Sequence, residues 1–259
     1  MKTFNITTGW DYNNYLSFIN KQTSTESYRW KDIQGVVSDN ADYNVILQKP
    51  TDSRSGAIHF RREPEFLHAW SEPTDPLVSY DYSDSEKFHA CTWWLTDTYD
   101  QLDSMMVDKT CSVSVVASSK HKHRANYVRR VSELFDNIVV RGSIAGKRIS
   151  LEDRGDIIKK SAMSICIENC SQQNYFTEKI TDCLLAKTLP IYWGCPNISD
   201  FFPENSYRLI DLNKPEGLME IISKPVTSEE MDALEIAKRL VLDKYNIWAC
   251  IEQTISNHD

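Results

Sequence analysis

The chain has 259 residues, 41% apolar and 25% charged, enough for one large domain or two smaller ones with real cores. Its formal net charge of -8 argues against a general nucleic-acid binder, although a local basic patch can still face an anion. No apolar run approaches the ~18 residues of a membrane-spanning helix, and the opening MKTFNITTGWDYNN lacks the apolar core of a secretory signal.

The seven cysteines, an odd number mostly in apolar segments, include no CxxC pair. They read as reduced core thiols of a cytoplasmic protein, with no spacing that suits a structural zinc site.

In the first half, GVVSD (35–39), YNVILQ (43–48) and AIHF (57–60) are short runs rich in β-branched and aromatic residues. Polar turns separate them, and they read as buried strands. Residues 86–106 carry Phe88, Trp93, Trp94, Leu95, Tyr99 and Leu102 without a clean period, which leaves their structure open.

From Lys109 the pattern becomes regular. CSVSVVAS (111–118) predicts a strand and SKHKHR (119–124) a basic turn. Tyr127, Val128, Val131, Leu134 and Phe135 then form a helical stripe. NIVVRG (137–142) and MSICIEN (163–169) predict two more strands. Thr177 is a fair N-cap for a helix through about residue 186. LPIYWG (189–194) and YRLIDL (207–212) predict further strands. Pro215 opens a short helix, and Thr227 with Glu230 makes a capping box for a final helix of about sixteen residues.

Alternating strand and helix predicts a parallel sheet covered on both faces, whose ligands bind beyond the carboxyl ends of the strands. The notable polar groups all follow such ends. Arg124 follows one strand; Glu168 and Asn169 close another; Tyr175, Thr177, Glu178 and Lys179 lie just beyond it.

Arg124 could grip a phosphate through two hydrogen bonds at a helix start, or belong to a solvated basic turn. Lys179 sits in a first helical turn, where the helix dipole disfavours a cation. A bound diphosphate would account for it, and Glu178, about 100 degrees round the helix, need not neutralise it. The alternative is an ordinary surface Glu–Lys pair. Tyr175 could stack on a base or simply pack, Asn169 must find polar partners, and Glu168 could belong to a loop turn.

In the first half, Glu63 precedes Pro64 and is held extended, which suits a carboxylate that takes a proton from a hydroxyl. It could equally pair with Arg61 or Arg62. GSIAGKR (142–148) lacks the spacing and the hydroxyl of a phosphate loop, and no GxGxxG follows a strand, so neither a P-loop nor a nicotinamide or flavin site is expected.

The stretch IENCSQQNYFTEKITDCLLAKTLPIYWGCPNISDFFPENSY resembles the donor-binding motif of glycosyltransferase family 10, the α-1,3-fucosyltransferases. Glu168-Asn169, Tyr175, Thr177-Glu178-Lys179, residues 190–194, Pro196 and Phe202-Pro203 fall in the family's order and near its spacing over about 45 residues. Weaker similarity upstream places Arg124 on the family arginine. HFRREPE resembles the short acidic stretch ahead of a proline that carries the general base, with Glu63 the better match and Glu65 the second.

The resemblance implies an α/β, GT-B fold: two Rossmann-like domains facing each other across a cleft. An acceptor domain would span 1–108 and a donor domain 109–259, with the last helix packing back on the first. It implies GDP-fucose as donor, a glycan as acceptor, and inversion at the anomeric carbon. No metal or other cofactor would be required, and the chain holds no Asp-x-Asp triplet. Arg124 and Lys179 would hold the diphosphate, with Asn169, Tyr175 and Glu178 around ribose, phosphate or fucose. The same scaffold using GDP-mannose or a UDP-sugar, or a binding protein without catalysis, are the alternatives.

Overall fold

The computed structural model describes residues 1–8, 15–47, 55–64, 75–80, 91–106 and 108–259. Two compact units divide the chain. One comprises Met1–Thr92, Asp97–Asp103 and Leu242–Asp259, and the other Trp93–Thr96 and Ser104–Val241.

The first unit holds β1 (Lys2–Thr8), α1 (Tyr15–Asn20), β2 (Arg29–Trp30), β3 (Ile33–Gly35), β4 (Tyr43–Leu47), β5 (Ile58–Phe60), β6 (Val78–Tyr80) and α2 (Tyr99–Asp103). The sheet order is β2-β3-β1-β4-β5-β6, parallel throughout except for β2 against β3. In β1 every second residue turns inward, burying Phe4 and Ile6. They join Ile19, Ile33, Val45, Ile58 and Phe60 in one core with Trp248 and Ile251 of the last helix. The Trp248 ring meets Phe4 edge-on at 5.1 Å, and its buried Nε1 donates to the Ile19 carbonyl at 2.8 Å.

The strand expected over 35–39 instead ends at Gly35. A Cβ there would lie 2.5 Å from Leu16 Cδ1 and 2.8 Å from Trp248 Cη2, so only glycine lets α1 and the tryptophan close over the strand end. Beyond it the chain leaves the sheet, and Val37 is 79% exposed.

The second unit holds β7 (Cys111–Val116), α3 (Lys122–Leu134), β8 (Ile138–Arg141), α4 (Leu151–Lys160), β9 (Ser161–Ile167), α5 (Glu178–Leu185), β10 (Leu189–Trp193), β11 (Arg208–Leu209), α6 (Leu218–Ile222) and α7 (Ser228–Arg239). The order β11-β10-β9-β7-β8 is parallel throughout. Buried Val113, Val115, Met163, Ile165, Ile167, Leu189 and Ile191 give its inner strands the apolar runs of a sheet covered on both faces. From β7 the chain first builds outward to β8, then crosses back to place β9 on β7's other side. The carboxyl ends of β7 and β9 therefore flank the point where the strand order reverses, the place where such sheets open a crevice.

Helix α4 has no clean apolar stripe and was not expected. Its N-cap Ser150 accepts from Asp153 N at 3.0 Å, and its mid-helix Gly155 lies against Leu95. Lys109 joins the ends of α4 and α5, its Nζ donating to the carbonyls of Lys159 (2.8 Å) and Ala186 (2.9 Å) and to Thr188 Oγ1 (2.8 Å). Burial pulls the pKa of this lysine down to about 8.

The expected capping box at Thr227 and Glu230 is present. The helical run it opens, Ser228 through Lys244, has about the expected sixteen residues, but it is not the final helix. After α7 the run ends in a π turn (Leu240–Lys244), and Asn246 caps a separate α8 (Ile247–His258) by accepting from Trp248 N at 3.1 Å. No described helix is long and apolar enough to cross a membrane.

Candidate functional site

At the carboxyl ends of β7 and β9 lies a cavity of about 690 Å³ within the second unit. Ser118, Arg124, Gly142, Arg154, Glu178 and Lys179 are among its walls. The volume suits a nucleotide-sized ligand. Loops after three strands and the starts of three helices meet here because parallel strands all deliver their following loops to the same edge.

Arg124 lies in the first turn of α3 and is only 6% exposed. Its Nη1 donates to the Ile167 carbonyl and to Asn169 Oδ1, both at 3.1 Å, and its Nη2 donates to Ser118 Oγ at 2.9 Å. The guanidinium thus ties the end of β7 to the end of β9. Its Nε is buried without a partner among the described residues. A solvated basic turn is the wrong description of this residue. Burial lowers the pKa of the guanidinium, opposed by Glu168 and Glu178.

Lys179 also lines the cavity, but the reason for its place in the first turn of α5 is carried by the protein itself. Its Nζ lies 3.4 Å from Glu168 Oε2 and 3.3 Å from Glu178 Oε1, and donates to Thr177 Oγ1 at 2.9 Å. The expectation that Glu178 need not neutralise it is corrected: adjacent on the helix, the long side chains still bend together. Two carboxylates offset the helix dipole here.

Glu168 does far more than shape a turn. It is fully buried and accepts from Thr177 N at 2.8 Å and Thr177 Oγ1 at 2.7 Å. Burial raises its pKa, against the lowering effect of Lys179. A Cβ on Gly194 would lie 2.4 Å from Glu168 Cγ, which explains the glycine that follows β10.

Asn169 is half-buried and finds its polar partner in Arg124. Tyr175 is fully buried, so its ring presents no face to solvent on which a base could stack. Glu178 stands at the cavity wall with Arg154 Nη2 at 3.9 Å.

Arg154 was not anticipated. It pairs with buried Asp182 at 3.1 Å and lies over Trp94, 5.9 Å from the ring centroid. Ser143 and Arg148, within the stretch set aside as no phosphate loop, line the cavity too. Their signal was position, since they follow the end of β8 as the others follow β7 and β9.

The field is strongly positive at the N-terminus of α3. Burial first, then Arg124, His123, Lys120 and Lys179, push the pKa of His121 down to about 4. His123 Nε2 sits 3.0 Å from the Glu168 carbonyl, and its ring lies 5.2 Å from that of Trp193. Among the described residues no group of three or more His, Cys, Asp or Glu is placed to hold a metal ion.

Glu63 belongs to the first unit, in the stretch after β5, half-buried and followed by buried Pro64. Nearby Arg62 donates through Nη1 to Thr92 Oγ1. Glu65 lies outside the described residues.

The family model for glycosyltransferase family 10 (fucosyltransferase), C-terminal part, matches residues 106–231. The α-(1,3)-fucosyltransferase FucT of Helicobacter pylori is 28% identical over 74 residues, 28% of this chain and 16% of that protein. The α-(1,3)-fucosyltransferase B of Drosophila melanogaster is 33% identical over 69 residues, 26% of this chain and 16% of that protein. The matched stretch therefore spans about a sixth of either curated relative. A crystal structure of an α1,3-fucosyltransferase with GDP superposes with a TM-score of 0.50, over 95% of this chain and 92% of that one, at 14% identity. That likeness is one of fold, and with a largely parallel sheet in each unit it is of the GT-B kind.

Proposed function

We propose, on the premise that residues 106–231 make this chain a member of glycosyltransferase family 10, that it is a fucosyltransferase. It would move L-fucose from GDP-fucose to a hydroxyl of an acceptor glycan in one inverting displacement. The observation that carries the reading is the convergence of Arg124 and Lys179, from the first turns of two separate helices, on one cavity at the strand-order reversal.

The chemistry follows from those side chains. As the bond to fucose breaks, negative charge grows on the departing diphosphate. Three protein hydrogen bonds leave two of the five guanidinium N–H groups of Arg124, Nε–H and one on Nη2, to meet a phosphate. Lys179 adds a second positive charge, already oriented by Thr177 and two carboxylates. Preorganised cations of this kind stabilise a leaving anion without reorganising at the moment of reaction. Arg154 and Arg148 extend the positive wall.

Glu63 is the base we assign to the acceptor hydroxyl, on its place before Pro64 and its resemblance to the family's acidic stretch. Asn169 would act by fixing the Arg124 fork. Tyr175 would contribute by packing behind the motif loop.

The test is incubation with GDP-fucose and an acceptor panel, read by mass spectrometry, beside calorimetry with GDP and UDP. A glycan that gains one deoxyhexose and selective binding of GDP are the expected results. Binding of UDP but not GDP would overturn the donor assignment.

A further inference from the structure

We propose that Glu168 is a positioning residue, which acts through the Thr177 hydroxyl to hold the Lys179 ammonium at the cavity. The proposal rests on the reading of Lys179 as a diphosphate ligand, and it adds the device that aims that ligand.

The hydroxyl of Thr177 can donate only one hydrogen, and at 2.7 Å it goes to Glu168 Oε2. The lone pairs of Thr177 Oγ1 are then left for Lys179, which approaches with Nζ at 2.9 Å and with its backbone N at 3.4 Å. The second carboxylate oxygen is occupied by Thr177 N at 2.8 Å. Glu168 itself cannot drift. Its backbone N donates to the Trp193 carbonyl at 3.0 Å, His123 lies at its own carbonyl, and Gly194 leaves no room for a larger residue at its side. The link therefore runs from a fixed buried acid to the ammonium both through one hydroxyl and directly, Glu168 Oε2 lying 3.4 Å from Lys179 Nζ, and the lysine side chain stays 21% exposed.

The dependence on a carboxylate is chemical rather than steric. Thr177 presents two donors to Glu168, and a glutamine of the same shape offers one acceptor and one donor. In Glu168→Gln the amide nitrogen either faces Thr177 N–H or forces the threonine hydroxyl round toward the Lys179 ammonium, donor against donor. Thr177→Val removes the hydroxyl relay while keeping the acid and its direct ion pair with Lys179. Thr177→Ser keeps the link.

The experiment has one arm that needs no donor. The protein is pulsed with acetic anhydride, and acetylation of Lys179 is read by peptide mass spectrometry. Glu168→Gln and Thr177→Val should each speed acetylation of Lys179 by about threefold or more, with Thr177→Ser close to wild type.

In the donor arm, Glu168→Gln should lower kcat/KM for GDP-fucose about tenfold or more. In a Lys179→Met background the same change should cost less than about twofold, because it acts through the missing ammonium.

Unchanged labelling of Lys179 in both Glu168→Gln and Thr177→Val would overturn the proposal. So would a full additional loss of activity in the Lys179→Met background. If the wild-type protein transfers no fucose, the reading of the site fails, and the acetylation arm still decides whether Glu168 holds Lys179.

Discussion

Replacing Arg124 with lysine keeps the charge and removes the fork, which separates geometry from electrostatics at the centre of the site. The guanidinium spans Ser118 after β7 and both Ile167 and Asn169 at the end of β9, while Nε–H and one Nη2 hydrogen remain for a ligand. A lysine ammonium is a single point with three donors and cannot reach both strand ends and a phosphate together. Two charge-assisted bonds to the diphosphate are worth roughly 1.5–3 kcal/mol each, about 3–6 kcal/mol in sum. At about 1.4 kcal/mol per factor of ten, kcat/KM for GDP-fucose should fall roughly 10²- to 10⁴-fold.

The assay is initial-rate transfer at varied donor, with GDP affinity by calorimetry and a thermal melt on the same sample. The melt matters, because a buried carbonyl left unpaired costs about 1–3 kcal/mol and lowers the midpoint by several degrees without unfolding the protein at the assay temperature. Turnover by Arg124→Lys within about threefold of wild type would refute the reasoning.

Three further outcomes are expected. Glu63→Gln should lower transfer about 10²- to 10⁴-fold while GDP affinity stays near wild type, as for loss of a general base; unchanged transfer would remove Glu63 from that role. Gly194→Ala should destabilise by roughly 1–3 kcal/mol through overpacking against Glu168, seen as a lower melting midpoint, and an unshifted midpoint would contradict the 2.4 Å approach. His121, held down to about 4, takes up its proton at higher pH when the chain is unfolded, so its share of stability is present above about 6.5 and lost as pH falls toward 4. His121→Gln should therefore flatten the fall in melting temperature over that window, and parallel curves for variant and wild type would count against it.

The second unit was legible where pattern and chemistry agree. Strands β7, β8, β9 and β10 announced themselves as short runs rich in apolar residues, and Thr177 and Thr227 as helix starts. Helix α4 escaped because its sequence, LEDRGDIIKK, offers only three apolar side chains, two of them adjacent, and a central glycine, so Arg154 went unseen with it. In the first unit β1 was overlooked although Phe4 and Ile6 alternate, since two buried apolar side chains in seven residues are a weak signal. The end of β3 and the separate helix α8 beyond the π turn were missed for a different reason. A close approach by Leu16 and Trp248, and a π turn, are decided by residues distant in sequence or by backbone geometry.

The residue types themselves determined which groups could meet a diphosphate: cations and an amide placed just after apolar strands, in a spacing shared with a known family. Folding alone decided what each of them does there. Glu168 and Tyr175 read alike as motif neighbours, yet one became the buried anchor of Lys179 and the other a packed ring. A linear spacing carries no burial and no hydrogen-bond direction. Those arise only when the reversal of strand order between β7 and β9 brings loops from both strands to one edge, where each polar group must find the partner that water no longer supplies.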